Sequence, residues 1–581
     1  MDMINCTING TPVSVPAGTT ILEAARTIGI EIPTLCYMKE KNEIGACRIC
    51  VVEVTGARTL VAACVMPVSE GMEIKTRSDR VLKARKKTLE LIMSNHNCEC
   101  LACDRSENCE LQTLARNFGV DFDTYKGEKT EVELDDSSPA LVRDDSKCIL
   151  CRRCVAACRT QTGVIGANNR GFDTTIGCAF EMKLADVACV NCGQCIEACP
   201  VGALVEKDQI AEIFEAINDP SKVVVVQTAP AVRAAIAEGF GKPIGTMGKG
   251  KMVAALRRLG FDKVFDTNFS ADLTILEEGT ELIGRVQNGG KLPLITSCSP
   301  GWIKYCETYF PDFLDNLSTC KSPQQMFGAT LKSWWAKKNN IDPKDIVSVS
   351  IMPCTAKKFE VGREEMCVDG LADVDYALTT RELVKMIKRA GIQWDNLPDE
   401  EYDSPLGEGT GAAVIYGATG GVMEAALRTA VDVLSGQENA EVDYKEVRGM
   451  DGIKEASYTV GDLTINVAVA SGLQNAKKVL ESVRNGEKNY HFIEIMCCPG
   501  GCINGGGQPI QPNWVRDTVD VRGLRAGVLY QEDLDLPERK SHHNSAVMDI
   551  VYKEFFVEGP NGHTAHKYLH THYVDRSKTV K

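Results

Sequence analysis

The sequence is short of long apolar runs and of aromatic side chains, the latter only 6% of its 581 residues. No apolar segment approaches the roughly 20 residues that span a bilayer, so no membrane segment is expected. The amino-terminal MDMINCTINGTPVSV has neither a charged region followed by an apolar stretch nor a twin-arginine pair, which makes a cytoplasmic location the expectation. Basic runs are missing too, apart from a short stretch at Lys83, Arg85, Lys86 and Lys87 that reads as a solvated helix face. With a net charge of -14, nucleic acid is excluded as a partner. There is no glycine-rich dinucleotide fingerprint and no flavin motif, so the chain alone is not expected to oxidise a nicotinamide.

What is abundant is cysteine. The chain holds 26, of which 18 lie between Cys6 and Cys199 and 8 between Cys298 and Cys502. Without an export signal, such a number points to metal-bound thiolates rather than disulfides. The uneven spread implies a metal-dense first third joined to a different kind of module, and at about 150 residues per domain the length allows about four units.

Residues 1–78 read as a small mixed α/β unit, with β-branched stretches at Thr7 and Ile8, Val13 to Val15 and Val51 to Val54, and a helix entered at Thr19 or Thr20. A charged helix is expected over about 79–95, and EVELDDSSPA as a surface linker. After residue 220, apolar stretches such as KVVVVQTAP, LPLITSCSP, DIVSVSIMPC and YHFIEIMCCPGGC alternate with amphipathic ones. That order predicts parallel sheets covered by helices on both faces, with the late cysteines at the strand ends where ligands bind in α/β sheets.

Three cysteine patterns occupy the first third. Cys36, Cys47, Cys50 and Cys64 follow C-x10-C-x2-C-x13-C, a variant of the plant-type arrangement that wraps a 2Fe-2S cluster. His96, Cys100, Cys103 and Cys109 form H-x3-C-x2-C-x5-C, in which a neutral imidazole replaces one thiolate on a 4Fe-4S cluster and should raise its potential. Cys98 competes with His96 for that role. From Cys148 to Cys199 the chain repeats itself, carrying C-x2-C-x2-C-x3-C twice. The fourth cysteine of each run serves the other cluster, giving one set of Cys148, Cys151, Cys154 and Cys199 and a second of Cys189, Cys192, Cys195 and Cys158. Pro200 follows the second run, whereas Arg159 stands in the equivalent place of the first. Clusters at this density imply electron transfer to or from something downstream.

Three later segments suggest what that is: TSCSPGW at 296–302, MPCTAKKFE at 352–360 and EIMCCPGGCINGGGQP from 494. Together they resemble the signature motifs of iron-only (FeFe) hydrogenases, and the upstream clusters resemble those of the large clostridial-type members over nearly the whole chain. The resemblance implies a multidomain α/β and α+β protein. Its parts would be a 2Fe-2S ferredoxin-like domain (1–78), a 4Fe-4S domain with one histidine and three cysteine ligands (79–125), a two-4Fe-4S ferredoxin domain (139–209), an α/β catalytic domain with helix-covered sheets (220–530) and a small-subunit-like tail (531–581).

It further implies an H-cluster, a 4Fe-4S cubane joined to a diiron site bearing CO, CN and an azadithiolate, fed by three accessory 4Fe-4S clusters and one 2Fe-2S. Cys354, Cys498 and Cys502 match cubane ligands, with Cys502 the bridge to the diiron site. Where the commonest form of the first motif has two adjacent cysteines, a proton relay and then a ligand, this chain has Cys298 and Ser299. Either Ser299 is the fourth ligand with Cys298 as relay, or Cys298 ligates and another group relays. Lys357 matches the lysine that holds a cyanide. Pro230, Gln324, Met352 and Met496 match pocket positions, and Ala231 stands where many members have serine. Glu278, Glu281 and Arg285, with Ser318, match the proton path. The histidines of the tail, from Ser541 to Asn544 and from His566 on, read as packing. Implied partners are H2, protons, ferredoxin, and flavin- and NAD-binding iron-sulfur subunits of an electron-bifurcating hetero-oligomer, the last because the CysSerPro variant and Ala231 resemble that branch. The competing readings are a non-catalytic electron-transfer subunit and a hydrogen sensor or cluster-assembly relative.

Overall fold

The computed structural model describes residues 2–461 and 463–579. Its first part is a five-stranded sheet in which Met3–Ile8 pairs antiparallel with Thr11–Pro16 and parallel with Met72–Lys75. Ile8, Val13 and Val15 alternate inward to meet Ile21, Leu22, Ala24 and Ala25 of the helix Ile21–Thr27. That helix starts at Thr20, whose hydroxyl accepts from Glu23 N at 3.3 Å. The next helix, Asp79–Asn95, is capped by Ser78. Arg85, expected on its solvated face, is instead only 4% exposed and donates to Val51 O at 2.9 Å, tying the helix to the sheet.

The acidic stretch at 131–140 is mostly exposed, as expected of a surface linker, but it is pinned at a few points. Leu134–Asp135 forms a strand against Leu141–Asp144, and Asp135 and Ser138 are buried. The Asp135 carboxylate accepts from Leu184 N (2.9 Å) and Ser137 Oγ (2.6 Å), so a residue that reads as solvated is consumed in organising the cysteine repeat. That repeat is visible in the backbone itself. Leu150 and Arg152 have φ of 55° and 61°, and their counterparts Asn191 and Gly193 have 58° and 70°, each pair opening a short helix, Arg153–Arg159 and Gln194–Ala198.

Two further sheets follow. One is wholly parallel, with Lys263–Asp266, Val223–Thr228, Ile346–Met352 and Tyr376–Thr379 in that order across it. The run Val223 to Val226 is apolar because both faces are covered, while Gln227, Ser348 and Ser350 are buried polar residues of the same sheet. Val224 and Val226 pack under the helices Lys249–Leu259 and Thr380–Arg389, while Val225 packs under Asn268–Asn288 and Pro323–Thr330. The other sheet runs Leu294–Ile295, Phe492–Met496, Leu463–Ser471, Ile453–Val460, the first three parallel and the last antiparallel. In Phe492–Met496, Ile493 and Ile495 face the helices Pro300–Tyr309 and Leu473–Arg484, and Phe492 and Met496 face Asn268–Asn288 and Gly421–Ser435.

Buried charge holds the last helices together. Arg428 is 1% exposed and bridges Glu424 and Asp533, each at 2.8 Å. Glu424 and Asp533 each keep a second arginine, Arg448 and Arg539, at 2.6 Å, so Arg428→Met takes one cation from a shared network and is expected to cost about 1–3 kcal/mol, read as a fall in denaturant midpoint at unchanged slope. Among the described residues no helix is long and apolar enough to cross a membrane.

Candidate active site and its iron-sulfur chain

Four strands deliver their carboxyl ends to one cavity, lined by Pro230, Ala231, Cys298, Ser299, Gln324, Met352, Cys354, Lys357, Met496, Cys498 and Cys502 among others. Pro230 and Ala231 follow Val223–Thr228, Cys354 follows Ile346–Met352, Ser299 follows Leu294–Ile295, and Cys498 follows Phe492–Met496. Every strand that contributes is parallel to its neighbour, so its carboxyl end arrives on the same side.

The thiols of Cys354, Cys498 and Cys502 are close enough to perturb one another. Burial pushes the Cys502 thiol up to about 12, with Cys498 adding to the rise and Lys357 opposing it. Three thiols facing one cavity beside the Lys357 ammonium suit a soft, anionic metal cluster. The loop around them admits a tight wall because Gly501 has φ +95° and a Cβ there would lie 2.6 Å from Thr419 N. Tyr416, whose hydroxyl is buried without a partner, also lines the cavity.

Lys357 is held in place by its own neighbours. Its Nζ donates to Glu360 Oε2 and Ser322 Oγ at 2.8 Å each and to Cys298 O at 3.2 Å. Gln324 donates to the same Glu360 oxygen at 2.9 Å and accepts from Ser350 Oγ at 2.8 Å. Glu360 thus orients both pocket residues, a role no sequence motif announced.

From the cavity a line of polar groups runs outward. The Cys298 thiol is influenced by Glu278, Cys502 and Lys357. Glu278 is 2% exposed, and burial pushes its carboxyl up to about 8, with Glu281 and Glu494 adding to the rise and a hydrogen bond with Ser318 opposing it. Ser318 Oγ donates to Glu281 Oε2 at 3.1 Å, and Arg285 Nη2 holds Glu281 Oε1 at 2.6 Å. The helix Asn268–Asn288 places Glu278, Glu281 and Arg285 on one face, as their spacing predicts. The tail adds what sequence reading missed. His570 is buried, with Nδ1 2.7 Å from Thr319 Oγ1 and Nε2 3.2 Å from Glu277 Oε2, so it packs over the outer end of this line.

The cysteine sets of the first third are also assembled. Cys36 contacts both Cys47 and Cys64, and Cys50 Sγ lies 3.3 Å from Cys64 Sγ. His96 is 7% exposed with Nδ1 buried and unpartnered, and burial lowers its pKa to about 4, which leaves the imidazole neutral and one nitrogen free for a metal. Cys98 turns its thiol to the carbonyls of Met93 and His96 instead. Cys154 neighbours Cys148, Cys151 and Cys199, while Cys195 neighbours Cys158, Cys189 and Cys192, the interleaving that the repeat predicts. Cys192 also lines the central cavity. Its loop is pressed against the catalytic module, with Thr355 Oγ1 donating to Asn191 O at 2.6 Å and Gln194 Nε2 to Asn504 O at 3.0 Å.

Sequence comparisons agree in order along the chain. Residues 222–506 match the C-terminal domain of the iron only hydrogenase large subunit, and 519–576 the iron hydrogenase small subunit. Residues 1–79 match a 2Fe-2S cluster binding domain, 85–123 the NADH-ubiquinone oxidoreductase-G iron-sulfur binding region, and 147–203 a 4Fe-4S dicluster domain. The chain is 50% identical to a subunit of an NADP-reducing hydrogenase from Solidesulfovibrio fructosivorans, over 100% of both chains. It is 45% identical to iron hydrogenase 1 of Clostridium pasteurianum, over 97% of this chain and 99% of that one. Among solved structures, an FeFe hydrogenase of Chlamydomonas reinhardtii covers 64% of this chain and 99% of its own at 42% identity, with a TM-score of 0.56. The cavity with its three thiols, the iron-sulfur modules ahead of it and half of all residues shared with a hydrogenase subunit along its full length lead to one assignment: the chain belongs to the iron-only (FeFe) hydrogenases, as a large subunit with amino-terminal iron-sulfur domains.

Proposed function

We propose that this chain interconverts H2 with protons and electrons at an H-cluster held by Cys354, Cys498 and Cys502, and passes the electrons through four accessory clusters. The observation that carries the reading is the central cavity, which has a buried acid line on one side and Cys192 of the dicluster module on the other. When bound, the H-cluster supplies an open iron position and a basic amine at which the H–H bond is split. The rest is the chain's own work. Met352, Met496, Pro230 and Ala231 keep the pocket dry, which strengthens the field of the Lys357 ammonium on an anionic ligand. Gln324 is oriented by Glu360 toward the same pocket.

Protons move between the cavity and solvent through Cys298, Glu278, Ser318 and Glu281, with Arg285 holding the last carboxylate in line. Glu278, buried in a site that keeps its carboxyl protonated at neutral pH, can give up a proton inward and be recharged through Ser318. Electrons move through the set at Cys189, Cys192, Cys195 and Cys158, then Cys148, Cys151, Cys154 and Cys199, with the His96 and Cys36 clusters beyond. In this reading the working units are 1–78, 79–125, 139–209, 220–530 and 531–581.

The neutral His96 carries one charge fewer than a thiolate. His96→Cys is therefore expected to lower that cluster's potential by on the order of 0.1 V, measured by redox titration followed by electron paramagnetic resonance.

The final electron acceptors are ferredoxin and a flavin- and NAD-linked partner in a hetero-oligomer. A relative named as an NADP-reducing hydrogenase subunit over its full length supports this. The purified chain should reduce viologen with H2 yet leave NAD(P) untouched until flavin-bearing subunits are added. A single polypeptide with complete ferredoxin-linked activity and no gain from such subunits would refute the oligomer.

A further inference from the structure

Between the dicluster module and the central cavity stands a thiol that none of the motifs assigns, Cys497. It is 5% exposed and lines the cavity together with Cys354, Cys498, Cys502 and Ser299. Its sulfur makes side-chain contacts with both Cys192 and Cys498. Its backbone N–H donates to Ser299 Oγ at 3.2 Å, so the two residues are immediate neighbours across the parallel pair formed by Leu294–Ile295 and Phe492–Met496. A Cβ on Gly301, two residues past Ser299, would lie 2.8 Å from Cys497 Sγ, which shows how closely the thiol is seated on the turn that carries Ser299.

Counting donors gives the direction. The dicluster set nearest the cavity already has four thiols in Cys158, Cys189, Cys192 and Cys195. The cubane set has three, in Cys354, Cys498 and Cys502, with a serine where a fourth would stand. The Ser299 hydroxyl is a hard oxygen of high pKa, a poor match for cluster iron, and it is already accepting a backbone hydrogen bond. Cys298 is given the relay role in the proton path proposed above, so it is not counted as the fourth donor.

We propose that Cys497 is the fourth thiolate of the cubane, so that a ligand absent at 299 is supplied from the adjoining strand end. On binding, the thiol loses its proton to solvent and a sulfur–iron bond forms, with no change of oxidation state. Ser299 then serves as the acceptor that fixes the Cys497 backbone. This rests on the hydrogenase reading above and sharpens its ligand set.

The test uses the full chain, purified anaerobically with its clusters and matured. Iron and sulfide per chain, Mössbauer spectra and the infrared carbonyl and cyanide bands are compared for the unmodified protein, Cys497→Ala, Ser299→Ala and the double variant S299C/C497A. The expected result is loss of the cubane's iron and of the infrared bands in Cys497→Ala, their retention in Ser299→Ala, and recovery in the double variant, where the thiolate returns to position 299. A cubane retained by Cys497→Ala overturns the proposal. So does a loss that the double variant fails to restore, since the residue would then act through packing alone. Absence of the infrared bands from the matured unmodified chain would instead sink the hydrogenase reading itself, an outcome separate from either.

Discussion

Glu278→Gln is expected to reduce hydrogen turnover by about 10²–10⁴-fold while leaving iron content and the infrared signature unchanged. Glutamine keeps the shape and most of the hydrogen bonding of the protonated acid but cannot exchange a proton. The site is demanding because Glu278 is 2% exposed and lies between Cys298 and Ser318, so among the described residues no exposed carboxylate stands in the same place. Burial puts its carboxyl at about 8, so it holds its proton below that pH and releases it above. A limb near pH 8 in the turnover profile of the unmodified chain should vanish in the variant. Glu281→Gln should show a milder loss, because Glu281 reaches the protein surface region and Thr319 N also donates to its Oε2, at 3.0 Å. Equal turnover in the Glu278→Gln and unmodified chains, measured by H2 evolution at several pH values, would remove Glu278 from the path.

The second large effect is at Cys502. In the ligand set proposed above its replacement by Ala removes the thiolate that joins the cubane to the diiron site, and metal catalysis is worth several kcal/mol of barrier. Turnover is expected to fall by about 10³-fold or more, with loss of the diiron infrared bands but retention of the accessory-cluster spectra. The accessory clusters are expected to survive because Cys502 is not among their proposed ligands. If Cys502→Ala retained the diiron bands, the ligand set drawn from the glycine-rich loop would be wrong.

Much of this was legible in the amino-acid order, and the reason is chemical. Metal ligands must recur at spacings that a short loop can bring together, so the sets at Cys36, His96 and the Cys148–Cys199 repeat announce themselves. Val223–Thr228 opens on four valines and Phe492–Met496 is apolar apart from the buried Glu494, because both faces are covered, and that too survives in one dimension. What stayed hidden depends on contacts between distant segments. Glu360 lies three residues from Lys357 in the quoted motif, but its hold on Gln324, and His570 placed on Glu277, have no local pattern. In the stretch at 131–140 Glu131, Glu133 and Asp136 are exposed as their type suggests, but Asp135 is buried and accepts from Leu184 N, 49 residues away. Arg85 misled likewise, its guanidinium turned inward to a strand carbonyl. At the first cubane motif the sequence left Cys298 and Ser299 as rivals. Both line the cavity, and the fold adds a third candidate, Cys497, whose neighbourhood to Ser299 only strand pairing creates.

The most direct test of the whole account is hydrogen evolution from reduced viologen by the purified, matured chain, recorded on the same sample as its infrared spectrum. The account predicts steady H2 production together with carbonyl and cyanide bands, both lost in Cys502→Ala. Intact bands with no turnover would contradict it and make the chain a hydrogen-binding sensor.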